Sequence, residues 1–294
     1  MTAAADIRTN PKKARKPQTK TLALRHRVLE VLTMAARWTL RQLFYQCTVH
    51  GVLEKTEQAY KRLSDHLVQM RLDGTVPFER IVDGHRMRRN TAGWASPIEA
   101  MEALIDQYTY DRWEDQPALV EIWCEKDALS GIILPICEEY GVTYVACKGF
   151  ASISLAHETA KLFARRAKPT HVYYFGDFDP SGMHIDRSLT ERLRQFGAAV
   201  KVERMALLPH QVERYQLPTR PTKKSDSRAA GFIREFGDAA IELDALPPAA
   251  LEQLVRRAIE RHIDWDAWQR GELADELQRQ TLSTALGYID TRRR

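Results

Sequence analysis

An alternation of apolar runs and helical patterns between residues 118 and 182 constrains the fold of this chain more than any other feature. Residues 118–124 and 171–175 are rich in β-branched and aromatic residues, which predicts buried strands. Helical patterns over 128–140 and 152–166 flank another apolar run at 142–147. The order strand, helix, strand, helix, strand predicts a parallel sheet with helices on both faces, and therefore an α/β fold.

Carboxylates follow two of these predicted strands. Glu125 and Lys126 come directly after the first, and Asp177 and Asp179 come after the third. Because parallel strands release their carboxyl ends at one edge of the sheet, we expect these acids to converge there. Three neighbouring carboxylates repel one another unless a cation offsets their charge. Oxygen ligands without nearby His or Cys suit Mg²⁺, or Mn²⁺ in its place, so Glu125, Asp177 and Asp179 are candidate metal ligands.

A purely structural interpretation of the same residues stays open. Asp177 and Asp179 would then mark the end of a strand, with Ser181 capping the helix that follows. His184 in that helix is read as a surface residue rather than a residue of the site.

The region before residue 92 has a different pattern. Helical patterns over 22–36, 39–50 and 56–72 precede a strand at 78–82 and a basic segment at 84–89, which predicts a winged-helix domain. Its last helix would enter the major groove of double-stranded DNA with Lys61 and Arg62 facing out. The basic hairpin would contact the DNA backbone through Arg86, Arg88 and Arg89.

Arg41 and Tyr45 lie one helical turn apart in the second of these helices. The stripe expected to be buried is Leu40, Leu43, Phe44 and Cys47, which predicts that Tyr45 lies off the core. A guanidinium beside its hydroxyl would favour the phenolate and balance the charge of a phosphate. Arg41 and Tyr45 are therefore candidate catalytic residues.

The charge of the chain is divided unevenly. Its formal net charge of +5 combines +10 over residues 1–90 with −5 over residues 91–294. This division suits an N-terminal part that binds a polyanion such as DNA.

The sequence shows neither an apolar run long enough to cross a bilayer nor a secretory signal, so we expect a cytoplasmic, nucleoid-associated protein without a membrane partner. The four cysteines lack a C-x-x-C pairing and are read as reduced core residues.

These patterns divide the chain into four parts. They are a disordered basic tail at 1–20, a winged-helix domain carrying the tyrosine at 21–92, a bridging helix and linker at 93–117, and the sheet domain with a C-terminal helical extension at 118–294. Two features of the last part stay open. The polar loop at 219–230 either contacts DNA or is mobile, and Glu242 and Asp244 either extend the acidic site or occupy exposed positions near a helix start.

Three motifs in order resemble a known family. Glu125-Lys126, Lys148-Gly149-Phe150 and Gly176-Asp177-Phe-Asp179-Pro-Ser-Gly182 are similar to the Toprim domain in the A subunit of type IIB topoisomerases, the topoisomerase VI family, and in its relative that makes meiotic double-strand breaks. The spacing of Arg41 and Tyr45 is similar to the arginine and catalytic tyrosine of that family, although Phe44 stands where the family often has a second tyrosine. The length resembles reduced, stand-alone versions of the subunit.

The resemblance implies an activity and its partners. Tyr45 would attack a phosphodiester, Glu125, Asp177 and Asp179 would hold Mg²⁺, Glu125 would serve as acid or base, and Lys126 would help to orient it. It also implies a homodimer in which each tyrosine uses the metal site of the partner. Since the chain shows no ATPase phosphate-binding motif, ATP-coupled strand passage would need a separate B-type ATPase subunit.

Two alternatives remain open from the sequence. In the first, the chain is a hydrolytic nuclease that uses the same metal site with water as the nucleophile, and Tyr45 is only structural. In the second, it is a catalytically silent DNA-binding protein.

Overall fold

The computed structural model describes residues 19–82, 93–147, 153–166 and 168–291. Elements are numbered here in chain order. The helices of the N-terminal unit are α1 (Thr19–Leu32), α2 (Leu40–Val49) and α3 (Glu57–Leu72), with two short strands β1 (Trp38–Thr39) and β2 (Ile81–Val82).

A four-stranded sheet forms the second unit. Its strands are β3 (Leu119–Cys124), β4 (Thr143–Ala146), β5 (Thr170–Phe175) and β6 (Lys201–Ala206). They are all parallel and lie in the order β4-β3-β5-β6, with Cys124 opposite both Ala146 and Phe175. The predicted parallel sheet and its α/β class are confirmed. The chain leaves β3 towards β4 on one side and returns to β5 on the other, so the crevice between β3 and β5 is the switch point where ligands bind in such sheets.

Helices cover both faces of this sheet. They are α5 (Ser130–Tyr140), α6 (Ile153–Arg165), α7 (Gly182–Gln195) and α10 (Pro248–Glu260). On one face Ile122 and Phe175 share a core with α5 and α10, and on the other Trp123 and Tyr174 share a core with α6 and α7. Alternate residues of each strand supply the two cores because side chains point to opposite faces. Burial on both faces explains why the strands are nearly continuous apolar runs.

The N-terminal helices follow the prediction closely, with α1 starting and ending a few residues earlier than expected. In α3, Lys61 and Arg62 are exposed, as predicted, and Leu63, Leu67 and Met70 on the other side are buried. The expected strand at 78–82 is a short 3₁₀ turn followed by two strand residues. β2 pairs in parallel with β1. The predicted basic hairpin lies within 83–92, outside the described residues.

The helix predicted to bridge the two units has another partner. It is α4 (Pro97–Gln107), which begins after Ser96, whose side chain accepts from the backbone amide of Glu99. It packs mainly on the long C-terminal helix α11 (Trp265–Thr291), and the backbone amide of Tyr110 donates to Asp275 in α11.

The remaining described helices are α8 (Pro209–Arg214) and α9 (Ala229–Phe236). The four cysteines are buried and reduced, as predicted.

The two units are joined through α2. This helix packs on a 3₁₀ turn at Leu243–Ala245, where Gln46 donates to the carbonyl of Ala245 at 3.0 Å. A second contact brings α5 against β2, and it depends on Gly131, since a Cβ there would stand 2.7 Å from a methyl carbon of Val82. These contacts set the N-terminal unit against the carboxyl edge of the sheet.

Candidate active site

Glu125 and Asp177 meet at the switch point of the sheet. The backbone amide of Asp177 donates to the Glu125 carboxylate at 3.0 Å, and the hydroxyl of Tyr174 donates to the same oxygen at 3.2 Å. Gly176 leaves room for that hydroxyl, because a Cβ at this position would lie 2.5 Å from it. The structure therefore brings these two predicted residues together across 52 residues of sequence.

Asp179 lies at the start of α7. One of its oxygens accepts from the backbone amide of Gly182 at 2.7 Å, while the other lies 3.5 Å from Arg220. A Cβ at Gly182 would stand 2.2 Å from the carbonyl oxygen of Asp177, so glycine is required here. In the structural interpretation Ser181 caps this helix. Ser181 does occupy the N-cap position, but its side chain makes no capping hydrogen bond and donates to Asp226, while Asp179 accepts from the helix.

Lys126 occupies the centre of a group of carboxylates. Its Nζ lies 2.6 Å from Asp244, 3.1 Å from Glu242 and 3.3 Å from Asp177. Burial lowers the pKa of this amine, but the three acids outweigh that effect and raise it. The side chain is thus a fixed cation that makes the close approach of three acids tolerable.

Glu242 links the two units of the chain. It accepts from Arg41 of α2 at 2.6 Å on one oxygen and from Arg220 at 2.9 Å on the other. Burial raises its pKa, but Lys126 and these arginines outweigh burial and lower it. Both Glu242 and Asp244 are buried, so the structure rejects the interpretation of exposed helix-start residues and includes both in the site.

Together these side chains form what we call the carboxylate–cation cluster: Arg41, Lys126, Arg220, Glu125, Asp177, Asp179, Glu242 and Asp244. Within the described residues, its five acids and three cations give a formal charge of −2. Asp177 is buried next to Glu125 and Lys126. Burial is the main cause that raises its pKa to about 6, and Glu125 and Asp179 add to it against the opposing effect of Lys126. Oδ1 of Asp244 is buried without a hydrogen-bond partner among the described residues.

The expectation that Tyr45 lies off the core is wrong. The residue is only 6% exposed and belongs to the larger core of the sheet unit, because the face of α2 opposite the N-terminal core packs against the second unit. Its hydroxyl pairs with Arg41. Burial and Glu242 raise the pKa of this phenol, and Arg41 offsets them only in part. In this arrangement the neutral phenol is favoured, contrary to the expected phenolate.

The candidate DNA-binding residues are only partly described. Lys61 and Arg62 lie exposed on α3, beside Glu54 and Gln58 in a shallow surface cavity of about 410 Å³. Arg86, Arg88 and Arg89 lie outside the described residues, as does the Lys148-Gly149-Phe150 motif. The loop at 219–230 is held in place at Thr222, whose amide donates to Asp238, and at Asp226.

Two residues of the site escaped sequence analysis. Arg220 stands in a loop after a polar turn, and Lys55 lies in the loop between α2 and α3. Neither follows a strand end or a helical stripe, and both reach the site through contacts with residues more than 20 positions away. In the sequence, Arg220 is a basic residue before a proline and Lys55 is a basic residue before a threonine. Both arrangements are too common to indicate a functional site.

The fold and site define an α/β protein with a parallel sheet and a carboxylate–cation cluster at its carboxyl edge. No family model matches the chain, and no curated protein matches it. Across the described ranges, no three His, Cys, Asp or Glu side chains form a group arranged to hold a metal ion. Within the same ranges, none of the helices has the length and apolar character needed to span a bilayer.

Proposed function

We propose that the chain is an Mg²⁺-dependent transesterase that cleaves double-stranded DNA through Tyr45. The observation that carries this proposal is the Arg41–Glu242 ion pair, which brings the helix of Tyr45 to the carboxyl edge of the sheet. An arginine, a tyrosine and several acids, distant in sequence, thus meet in one site. These are the residues to which the resemblance to the topoisomerase VI A subunit assigns roles, and on the same ground we assign the N-terminal unit to the winged-helix type and the sheet to the Toprim type.

The donor set suits a hard divalent cation. Glu125, Asp177 and Asp179 carry the carboxylate oxygens that Mg²⁺ prefers, and the cluster has a formal charge of −2 that one Mg²⁺ would balance. Among the described residues no three acids are arranged around one point, so holding the ion would require these side chains to move together. Burial raises the pKa of Asp177 to about 6, and a cation beside it would favour its ionised form. When bound, Mg²⁺ supplies positive charge that stabilises a phosphate in the transition state.

The chain's own residues supply the remaining chemistry. The neutral phenol of Tyr45 gives up its proton to a carboxylate base as its oxygen forms a bond to phosphorus. The bond from phosphorus to the sugar oxygen breaks, and the departing oxygen takes up a proton. We assign the role of acid or base to Glu125, which lies at the ends of the two central strands. Arg41 pairs with the phenol and stabilises negative charge on it and on the phosphate. Because Tyr45 is buried against the same chain, DNA entry must open the contact between α2 and the 243–245 turn.

The partners follow from the same resemblance. A homodimer would place Tyr45 of one subunit beside the acids of the other once α2 leaves its own chain. A separate B-type ATPase subunit would supply ATP hydrolysis, and a DNA substrate would locate the protein in the cytoplasm with the nucleoid.

A hydrolytic nuclease is the second candidate. The observation that favours it is the burial of Tyr45 together with its raised pKa, since a neutral, inaccessible phenol is a poor nucleophile. In that case water attacks the phosphate and Tyr45 contributes only to the core.

Supercoiled plasmid tests the two candidates. Wild type, Tyr45→Phe, Glu125→Gln and the control Tyr60→Phe are incubated with Mg²⁺ or Mn²⁺ and quenched in detergent, with and without protease. Tyr60 is a matched control because it packs on the neighbouring Phe44 from α3. We expect wild type and Tyr60→Phe to remain attached to DNA ends, and Tyr45→Phe to lose at least about 10³-fold in cleavage rate.

The outcomes separate the candidates. Cleavage by Tyr45→Phe at the wild-type rate, with loss in Glu125→Gln, would make the protein a nuclease. Binding without cleavage by any variant would leave the silent DNA-binding function. Metal binding is measured separately by thermal unfolding with and without Mg²⁺. We expect Mg²⁺ to raise the melting temperature of wild type and to raise that of Glu125→Gln less.

A further inference from the structure

Lys55 connects the N-terminal unit to the loop that carries Arg220. Its ammonium group donates to the carbonyl oxygens of Pro218 at 3.3 Å and Thr219 at 3.0 Å, both more than 160 residues away in sequence. The same group lies 5.4 Å from the centre of the Tyr45 ring. An ammonium has three donors, and these two bonds use two of them.

Arg220 reaches the carboxylates from the other side. Its two terminal nitrogens contact Glu242 at 2.9 Å and Asp179 at 3.5 Å, while its Nε is buried without a hydrogen-bond partner among the described residues. Its backbone is fixed by paired hydrogen bonds with Ala240, each 2.8 Å long. The guanidinium is therefore held at one place beside Asp179.

These two cations lie close together. Burial is the main cause that lowers the pKa of Lys55, the charge of Arg220 lowers it further, and the charge of Glu242 opposes both. Placing like charges side by side is unfavourable in the absence of an anion between them. The backbone before Arg220 is also unusual, since Gln216 adopts a positive φ of 49°, a conformation that costs energy in a residue other than glycine.

The pair lies on the two sides of the contact between Tyr45 and the carboxylates. Lys55 lies over the ring of Tyr45, and Arg220 lies against Asp179. Once the contact between α2 and the 243–245 turn opens, a phosphate that enters between a tyrosine and the carboxylates would therefore have one cation on either side. Lys and Arg at such positions bind phosphate oxygens, Lys as a point charge and Arg through its planar fork.

We propose that Lys55 and Arg220 form a phosphate-binding site that holds a DNA backbone phosphate beside Tyr45. This inference rests on the proposed function and adds two ligands for the substrate that neither the strand-end acids nor the predicted wing would supply. The chemistry recognised is a phosphodiester oxygen, and no base contact is involved.

Binding without metal tests the pair independently of cleavage. The anisotropy of a labelled DNA duplex is measured in EDTA with the full chain, between about 50 and 200 mM salt. We expect Lys55→Gln and Arg220→Gln each to reduce the slope of log K against log salt by about 0.9, the value for one phosphate that the protein no longer neutralises. Lys201→Gln is the matched control, since Lys201 is 74% exposed at the far end of β6 and should keep the wild-type slope.

A charge-preserving variant separates phosphate binding from loop anchoring. Lys55→Arg should retain the wild-type slope, and Lys55→Gln should remain folded by circular dichroism. An equal reduction of the slope in Lys55→Arg and Lys55→Gln would show that the lysine only anchors the loop, and an unchanged slope in Lys55→Gln and Arg220→Gln would overturn the site.

Two further outcomes distinguish the ligand and the underlying function. Inorganic phosphate should displace DNA from wild type more than from Lys55→Gln at equal ionic strength. Phosphate binding without a change in the DNA slope would assign the pair to a small phosphate compound and overturn the proposal.

The cleavage assay and the binding assay can fail separately. If wild type never cuts DNA but the slopes change as expected, the transesterase proposal is wrong and the phosphate site stands. If wild type cuts and Lys55→Gln binds and cuts equally well, the phosphate site is wrong and the transesterase proposal stands.

Discussion

The ammonium of Lys126 contacts three acids that come from two distant parts of the chain, Asp177 and the pair Glu242 and Asp244. At the scale of the residue, this cation decides whether the acids can be buried together. Its side chain is only 19% exposed, so solvent screens the interaction weakly. A neutral side chain of similar length would leave the acids without their central partner.

Lys126→Met should therefore be strongly destabilising. Removing one partner from a buried ion pair costs about 3–5 kcal/mol, because it leaves uncompensated charge in the interior. Urea unfolding measures the change against Lys161→Met, whose lysine is 53% exposed in α6 and should cost no more than about 0.5 kcal/mol. Equal stability of the two variants would contradict the role given to Lys126.

At the scale of the element, α10 is attached to the sheet through a histidine pair. His262, which follows α10, stacks on His171 of β5 with ring centres 4.1 Å apart, and its Nε2 lies 2.7 Å from the hydroxyl of Tyr173. Burial lowers the pKa of both histidines, opposed by Glu203 and reinforced by Arg261. The folded protein therefore favours neutral rings.

This pair makes stability depend on pH. Because the folded pKa values lie below the ordinary 6.5, the contribution is fully present above about pH 6.5 and is lost as pH falls through the folded values. We expect the free energy of unfolding to fall between about pH 7.5 and 5, and to fall less in His262→Gln. The free energy of unfolding is measured by urea titration across this pH range, with His210→Gln, from the start of α8, as the control. An equal dependence of this free energy on pH in wild type and His262→Gln would contradict the prediction.

At the scale of the whole molecule, the two units share a core. Tyr45 from α2 is buried with Ile122 of the sheet, and Gln46 is hydrogen-bonded to Ala245. The Gly131–Val82 approach adds a second contact. Units that share buried contacts of this kind should unfold together.

We therefore expect one cooperative unfolding transition. Amide hydrogen-exchange protection in the N-terminal core around Trp38 should be lost at the same urea concentration at which the far-ultraviolet circular dichroism of the whole chain changes. Gln46→Ala should cost about 1 kcal/mol by removing the hydrogen bond to Ala245, more than Gln58→Ala on the exposed face of α3. Two separated transitions in the wild type would show that the units are independent.

The sequence by itself determined the strands, the acids at their ends and the α/β class. Strands such as 119–124 and 170–175 are buried on both faces, so their composition is largely apolar. Each apolar run ends where the chain reaches the edge of the sheet, and polar residues follow it there. Glu125 and Asp177 could be predicted together because parallel topology fixes where strand ends meet.

Only the tertiary structure decided what surrounds those acids. The periodicity of α2 identified one buried face, but burial of Tyr45 required a second unit on the opposite face, which no local pattern encodes. Glu242 meets Arg41, and Lys55 meets the loop before Arg220, through contacts between residues more than 160 positions apart. Such contacts depend on the path of the folded chain, and the sequence near each residue gives no indication of its distant partner.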